Sequence, residues 1–281
     1  MVGAGGQLGA AVFHECAAAH ETTGFTHADL DASDDAAVLA AIDRVRPEVI
    51  VNGAAFTNVD AAEDHPLEAL DVNAFAVRAL ARAAQRHGAI LVHYSTDFVF
   101  DGRAASPYTE EHPTNPRSVY AASKLIGEWL TLDAPRAYVL RVESLFGRAP
   151  NGPPAKGSVA VILNTLTAGG SPKVFEDRTI SPTYVVDAAR ATRRLVEMDV
   201  RSAPPGVYHC VNSGSCTWLE LAQELARRLG IEPRLTPVRL ADMALPAQRP
   251  QYSALSNAKL QALGVVMPPW QDALARYLKS N

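Results

Sequence analysis

Apolar residues recur along this chain in two alternating rhythms. In DDAAVLAAIDRVR (34–46), Val38, Leu39, Ile42 and Val45 form one helical stripe, with Asp34 as N-cap and Pro47 as a stop. EVIVNGAA (48–55) is a short β-branched apolar run and predicts a buried strand. Residues 62–87, rich in Ala and Leu, predict one long helix closed by Gly88. AILVHYST (89–96) predicts the next strand, and 97–117, punctuated by proline and glycine, a polar loop. Residues 118–132 suit a helix and AYVLRVESLF (137–146) a strand. A further capped helix is expected within 211–230, starting after Ser215 or Thr217.

Strands alternating with helices predict an α/β fold, a doubly wound parallel sheet of Rossmann type covered on both faces. The rhythm loosens after residue 147, and NGPPAKG (151–157) reads as a flexible connection. The expected division is a dinucleotide-binding domain over 1–150, rejoined by 184–210. A smaller C-terminal α/β substrate lobe would take 151–183 and 211–281.

Composition narrows the classes. The 281 residues carry a net charge of −4 and no long basic run, which argues against nucleic-acid binding. No stretch has the length of a membrane span, and no signal peptide is visible, so a cytoplasmic protein is expected. Cys16, Cys210 and Cys216 form no C-x-x-C pair and read as reduced thiols; no metal cluster is expected.

The candidate chemistry begins at MVGAGGQLG (1–9). Gly3, Gly6 and Gly9 suit a tight turn into a helix whose free N–H groups attract a pyrophosphate, although the spacing is G-x-x-G-x-x-G. Asp29, Asp31 and Asp34 lie where an acid could meet the adenosine end of a dinucleotide; Asp34 suits a cap better. In YAASK, Tyr120 and Lys124 are four apart and share a helix face. An ammonium there would favour the phenolate and lower the tyrosine pKa, suiting it to proton transfer to a carbonyl oxygen. Ser95 and Thr96 end a predicted strand at the carboxyl edge of the sheet, where such sheets bind ligands.

Together these segments resemble the extended short-chain dehydrogenase/reductase superfamily and, more narrowly, the dTDP-4-dehydrorhamnose reductase family. The likeness runs over nearly the whole chain: GAGGQLG (3–9), NGAAFTNVDAAED (52–64), VNAFAV (72–77), STDFVFDG (95–102), PYTEEHPTNPRSVYAASK (107–124), LRVESLFG (140–147), SPTYVVDAA (181–189) and RPQYSALSNAKL (249–260). The resemblance implies reduction of the C4 ketone of a nucleotide-activated 4-keto-6-deoxy sugar by NADPH, or by NADH. Tyr120 would be the general acid, Lys124 would hold the nicotinamide ribose and depress the Tyr120 pKa, and Thr96 would polarise the carbonyl. Gly3, Gly6, Gln7 and Leu8 would surround the pyrophosphate, and Asp31 would lie near the adenosine. Ala54, Ala55 and Thr57 would line the cofactor groove, supported by Asn73. Arg249 would pair with the substrate's pyrophosphate. Some relatives form homodimers, and others act as non-catalytic cofactor-binding subunits.

Three departures bear on specificity. Phe98 stands where the family usually has Tyr. RVESLFG replaces RTSWVYG, so Ser144 takes the place of a Trp that would pack on the sugar, and Glu143 adds a carboxylate. His27 stands where many relatives have an Arg able to meet a 2′-phosphate. The family also carries a strand of about five apolar residues before the glycine turn. Only Met1 and Val2 precede it here, so the first strand is expected to be truncated and the cofactor held poorly.

Overall fold

The computed structural model describes residues 1–280. In chain order the first half contains α1 (Gln7–Ala17), α2 (Asp35–Val45), β1 (Val49–Asn52), α3 (Ala61–Asp64), α4 (Pro66–Leu70), a π-helical turn (Asp71–Phe75), α5 (Ala76–His87), β2 (Ile90–Thr96), α6 (Val119–Leu132) and β3 (Ala137–Val142). The second half contains β4 (Leu145–Phe146), α7 (Ser158–Thr167), β5 (Lys173–Phe175), β6 (Thr179–Ile180), β7 (Thr183–Tyr184), α8 (Val185–Glu197), β8 (Gly206–His209), β9 (Cys216–Thr217), α9 (Trp218–Leu229), β10 (Thr236–Val238), α10 (Ala258–Ala262) and α11 (Trp270–Lys279).

β1, β2, β3 and β8 form one parallel sheet in that order. Alternation along β2 assigns its two faces. Ile90, Val92 and Tyr94 pack with Leu8, Val12, Ala188 and Leu195 beneath α1 and α8. Leu91 faces the other way, with Ile50, Val38 and Leu80 under α2 and α5. A separate apolar cluster around Phe146, Ile162, Trp218, Leu225 and Leu274 holds the later helices together.

On the open side of β1, Val2 alone bridges in parallel to both Asn52 and Phe25. The spatial order is therefore Phe25, Val2, β1, β2, β3, β8, and the winding direction switches beside Val2. Its N–H donates to the Val51 carbonyl at 2.9 Å, and Gly53 N–H donates to the Val2 carbonyl at 2.9 Å. A cavity of about 460 Å³ adjoins this bridge, lined by Met1, Val12, Phe25, Ile42, Ile50 and Val196 among others.

Several sequence expectations change in detail. The helix expected over 62–87 is divided: His65 leaves helical geometry, Pro66 opens α4, and the π turn follows. The strand expected over 137–146 breaks at Ser144, whose φ of 43° is left-handed; β4 then pairs with β7. Asp34 caps α2 by accepting from Ala37 N–H, and Thr217 caps α9 in a reciprocal box with Glu220.

Candidate active site

The glycine turn sits at the switch point. Gly3 has φ +77°, and a Cβ there would lie 2.5 Å from the Ala54 nitrogen. A Cβ on Gly9 would lie 2.0 Å from the Gly3 carbonyl oxygen. Only glycine lets these two backbones meet. Gly6 is the N-cap of α1, and the first bond of that helix runs from Ala10 N–H to the Gly6 carbonyl. The N–H groups of Gln7, Leu8 and Gly9 therefore precede the helical ladder, in the arrangement that binds a pyrophosphate. The Leu8 side chain is buried in the core, so only its backbone faces that position. Gln7 instead ties the turn across the cleft, its Nε2 donating to the Gly147 carbonyl at 2.6 Å.

The loop after β1 forms the neighbouring wall. Ala54 N–H donates to Asn52 Oδ1, Ala55 is half-buried, and Thr57 is exposed. Asn73, in the π turn, grips this loop: its Oδ1 accepts from Phe56 N–H at 2.9 Å, and its Nδ2 donates to the Phe56 carbonyl at 3.0 Å. The same Nδ2 reaches Ser123 Oγ at 3.0 Å, which donates to the Tyr120 carbonyl. Asn73 thus connects the loop to the helix that carries Tyr120 and Lys124. Asp31 is exposed and caps its own turn by accepting from Ser33.

Thr96 closes β2, and Ser118 caps α6 so that Tyr120 lies in its first turn. Thr96 Oγ1 accepts from Phe98 N–H and donates to Asp97 Oδ1 at 3.0 Å. The half-buried Tyr120 carries its hydroxyl to Thr96, and Phe98 covers its ring edge-on at 5.7 Å. Burial pushes the phenol up to about 12, against the Thr96 hydrogen bond, which lowers it. The lowering by Lys124 expected from sequence is not what governs this phenol. Lys124 turns inward instead, its Nζ donating to the Tyr94 carbonyl at 2.6 Å and lying 3.3 Å from His93 Nε2. Burial brings Lys124 down to about 8, opposed by Glu128.

Below Thr96 lies a buried acidic pair. Glu143 accepts from Ser181 N–H at 2.7 Å and Ser253 Oγ at 2.6 Å. Asp97 Oδ2 is buried without a hydrogen-bond partner. Burial raises both carboxyls, Asp97 to about 6, and the Asp97 charge raises Glu143 further. Ser144 supplies no aromatic surface, and its left-handed backbone turns the chain away from β3. Arg249 is not free to meet an anion in this conformation. Its guanidinium forms a bidentate pair with Asp60 at 2.7 and 2.6 Å and also donates to the Ala247 carbonyl.

Sequence reading missed Asn52, His93, Asp97 and the buried Arg141–Glu128 pair, which lies at 2.8 and 2.7 Å. The available signal was polarity inside apolar runs: the Asn of VIVN and the His of LVHYST.

The family model described as RmlD substrate binding domain matches residues 1–281. A probable dTDP-4,6-dihydroxy-2-methyloxan-3-one 4-ketoreductase of Streptomyces antibioticus is 38% identical over 98% of this chain and 92% of its own length. A dTDP-4-dehydrorhamnose reductase of Streptomyces griseus is 38% identical over 87% of this chain and 81% of its own. Among solved structures, a dTDP-4-dehydrorhamnose reductase of Bacillus anthracis in complex with NADP superimposes with a TM-score of 0.90 at 31% identity, covering 100% of this chain and 98% of that one. With its glycine turn, its Thr96–Tyr120 contact and its inward Lys124 all on a fold shared from end to end, this chain belongs to the dTDP-4-dehydrorhamnose reductase family.

Proposed function

We propose that this protein uses NADPH to reduce the C4 ketone of a dTDP-linked 4-keto-6-deoxy sugar, as a dTDP-4-dehydrorhamnose reductase does. The observation that carries the reading is the convergence of the Tyr120 phenol and the Thr96 hydroxyl at the carboxyl end of β2. The glycine turn suits the dinucleotide, because a Cβ at Gly3 or Gly9 would fill the space where its backbones close. When bound there, the reduced nicotinamide supplies the hydride that reaches the ketone carbon. Gly3, Gly6 and the N–H groups of Gln7 and Leu8 hold its pyrophosphate. Ala54, Ala55 and Thr57 line its groove, Asn73 braces that groove, and Asp31 lies toward the adenosine.

A phenol pushed up to about 12 is neutral at working pH, so Tyr120 holds a proton to give to the nascent alkoxide. Thr96 donates to the same oxygen by releasing Asp97 Oδ1, on which its one proton rests in this structure, and Lys124 carries the charge that steadies the phenolate left behind. We assign the substrate to the cleft between the sheet and the later segments (151–183 and 211–281), with Phe98 and Ser144 beside the sugar. Arg249 can take the substrate diphosphate there only by giving up Asp60. The lack of an aromatic at Ser144 leaves two candidate sugars, the 4-keto sugar of rhamnose synthesis and the 2-deoxy ketone named for the S. antibioticus relative.

The test is NADPH and NADH oxidation against both dTDP-sugars, using wild type and Tyr120→Phe. The variant should lose about 10²–10⁴-fold in kcat while retaining cofactor affinity. Undiminished turnover removes Tyr120 from the chemistry. Cofactor binding without reduction of any sugar nucleotide by wild type favours a non-catalytic subunit instead.

A further inference from the structure

The hydrogen bonds around Lys124 are over-determined. Asn52 Oδ1 accepts from Ala54 N–H at 3.1 Å, which fixes the amide so that Nδ2 points at His93 Nδ1, 3.1 Å away. An amide nitrogen only donates, so His93 Nδ1 must accept. His93 is fully buried, and burial holds its pKa well below the ordinary value, so the ring is neutral and its one proton sits on Nε2. That Nε2–H faces Lys124 Nζ at 3.3 Å. An ammonium has no lone pair to receive it, whereas a neutral amine does. The amine form satisfies every partner: it donates to the Tyr94 carbonyl, accepts from His93, and keeps one N–H free. The ammonium form forces two donors together, at His93 or at Asn52.

We propose that Asn52 and His93 form a positioning pair that holds Lys124 on the border between ammonium and amine, so that it gains and loses its proton within the enzyme's working pH range. This rests on the assignment of Lys124 to the reductase site. The other groups facing it act differently. Glu128, one turn along α6, favours the ammonium but is shared with Arg141 of β3 and Ser95 of β2. Tyr120 lies one turn before it and is neutral, while Asn73 and Ser123 nearby carry no charge. Gly127 leaves room for this arrangement, since a Cβ there would stand 3.2 Å from His93 Nε2 and 2.2 Å from the Asn73 carbonyl oxygen. The activity that needs a charged Lys124 is therefore lost as pH rises through about 8.

Two measurements on the wild-type protein test the pair without substrate. Nitrogen-15 shifts of His93 should report the Nε2–H tautomer. Carbon-13 titration of the five lysine ε-carbons, with Lys124 assigned by its loss in Lys124→Arg, should show one midpoint well below the other four. Asn52→Asp supplies the decisive variant, because a carboxylate accepts from Nδ1–H and frees Nε2 to accept from an ammonium. The Lys124 midpoint and the basic limb of kcat should then move up together by about one pH unit or more. His93→Gln, whose amide oxygen can accept from the ammonium, should move them the same way. An Nδ1–H tautomer in the wild type, or a Lys124 midpoint among those of the other lysines, overturns the proposal. So does a midpoint unmoved by Asn52→Asp. These readouts stand even if no sugar nucleotide is reduced, so failure of the reductase reading and failure of this one are told apart.

Discussion

At the scale of single residues, the site spends stability on groups that would prefer water. Asp97 and Glu143 are enclosed together, and burial raises both above their ordinary range. An acid whose folded value is raised binds its proton more tightly in the folded chain. Its stabilising effect is complete below about pH 4, where folded and unfolded chains are both protonated, and is lost as pH rises through about 6 for Asp97. The loss is on the order of 2–3 kcal/mol for Asp97, with Glu143 adding in the same direction. Glu143→Gln removes one of the two raised carboxyls, can still accept from Ser181, and lets its amide donate to Ser253. The fall in Tm between pH 4 and pH 7 should shrink in this variant, as measured by calorimetry across that range. An unchanged pH slope would mean that the two carboxyls do not share their charge.

At the scale of elements, the π turn is the feature that sequence periodicity concealed. An Ala- and Leu-rich run reads as one helix because its composition is uniform, yet Pro66 and the wide turn at 71–75 rotate Asn73 toward α6. That rotation lets one side chain hold Phe56 by both backbone groups and Ser123 as well. Asn73→Ala should cost about 2–3 kcal/mol, since it orphans partly buried backbone groups at Phe56. It should also weaken cofactor binding more than it weakens catalysis at saturation, because the loop it braces lines the groove. Paired urea melts and cofactor titrations check both. A loss of stability with unchanged cofactor affinity would detach this turn from the groove.

The same contrast explains what could be read beforehand. β2, α6 and the caps at Asp34 and Thr217 were legible because local rules decide them: alternation, a capping side chain, a closing glycine. Tyr120 and Thr96 were legible because their spacing is local to a helix and a strand end. The Arg249–Asp60 pair, the inward turn of Lys124 and the break at Ser144 depend on residues thirty or more positions away, and no short window on the sequence contains both partners.

At the scale of the whole molecule, the sheet is unevenly secured. β2 and β3 have a strand on each side, so their backbone groups are paired along both edges. β1 has β2 on one edge and on the other meets Val2 in an isolated bridge, and Phe25 lies beyond it, donating to the Met1 carbonyl and accepting from Ala4 N–H. Local opening follows the weakest pairing, so cooperative stability should grade across the sheet. In hydrogen-exchange mass spectrometry, peptides covering 90–96 and 137–142 should be the last to exchange. Those covering 23–26 and 49–52 should open by a separate, lower-energy route. The cofactor turn hangs from the weaker edge, since Gly3 follows Val2 directly and packs on Gly53 and Ala54. A ligand bound at that turn should therefore slow exchange at 23–26 and 49–52, because the local opening of this edge must first release it. Uniform protection across all four segments, or exchange at 23–26 and 49–52 that the cofactor leaves unchanged, would mean that the isolated bridges at Val2 hold this edge as firmly as the β2–β3 ladder.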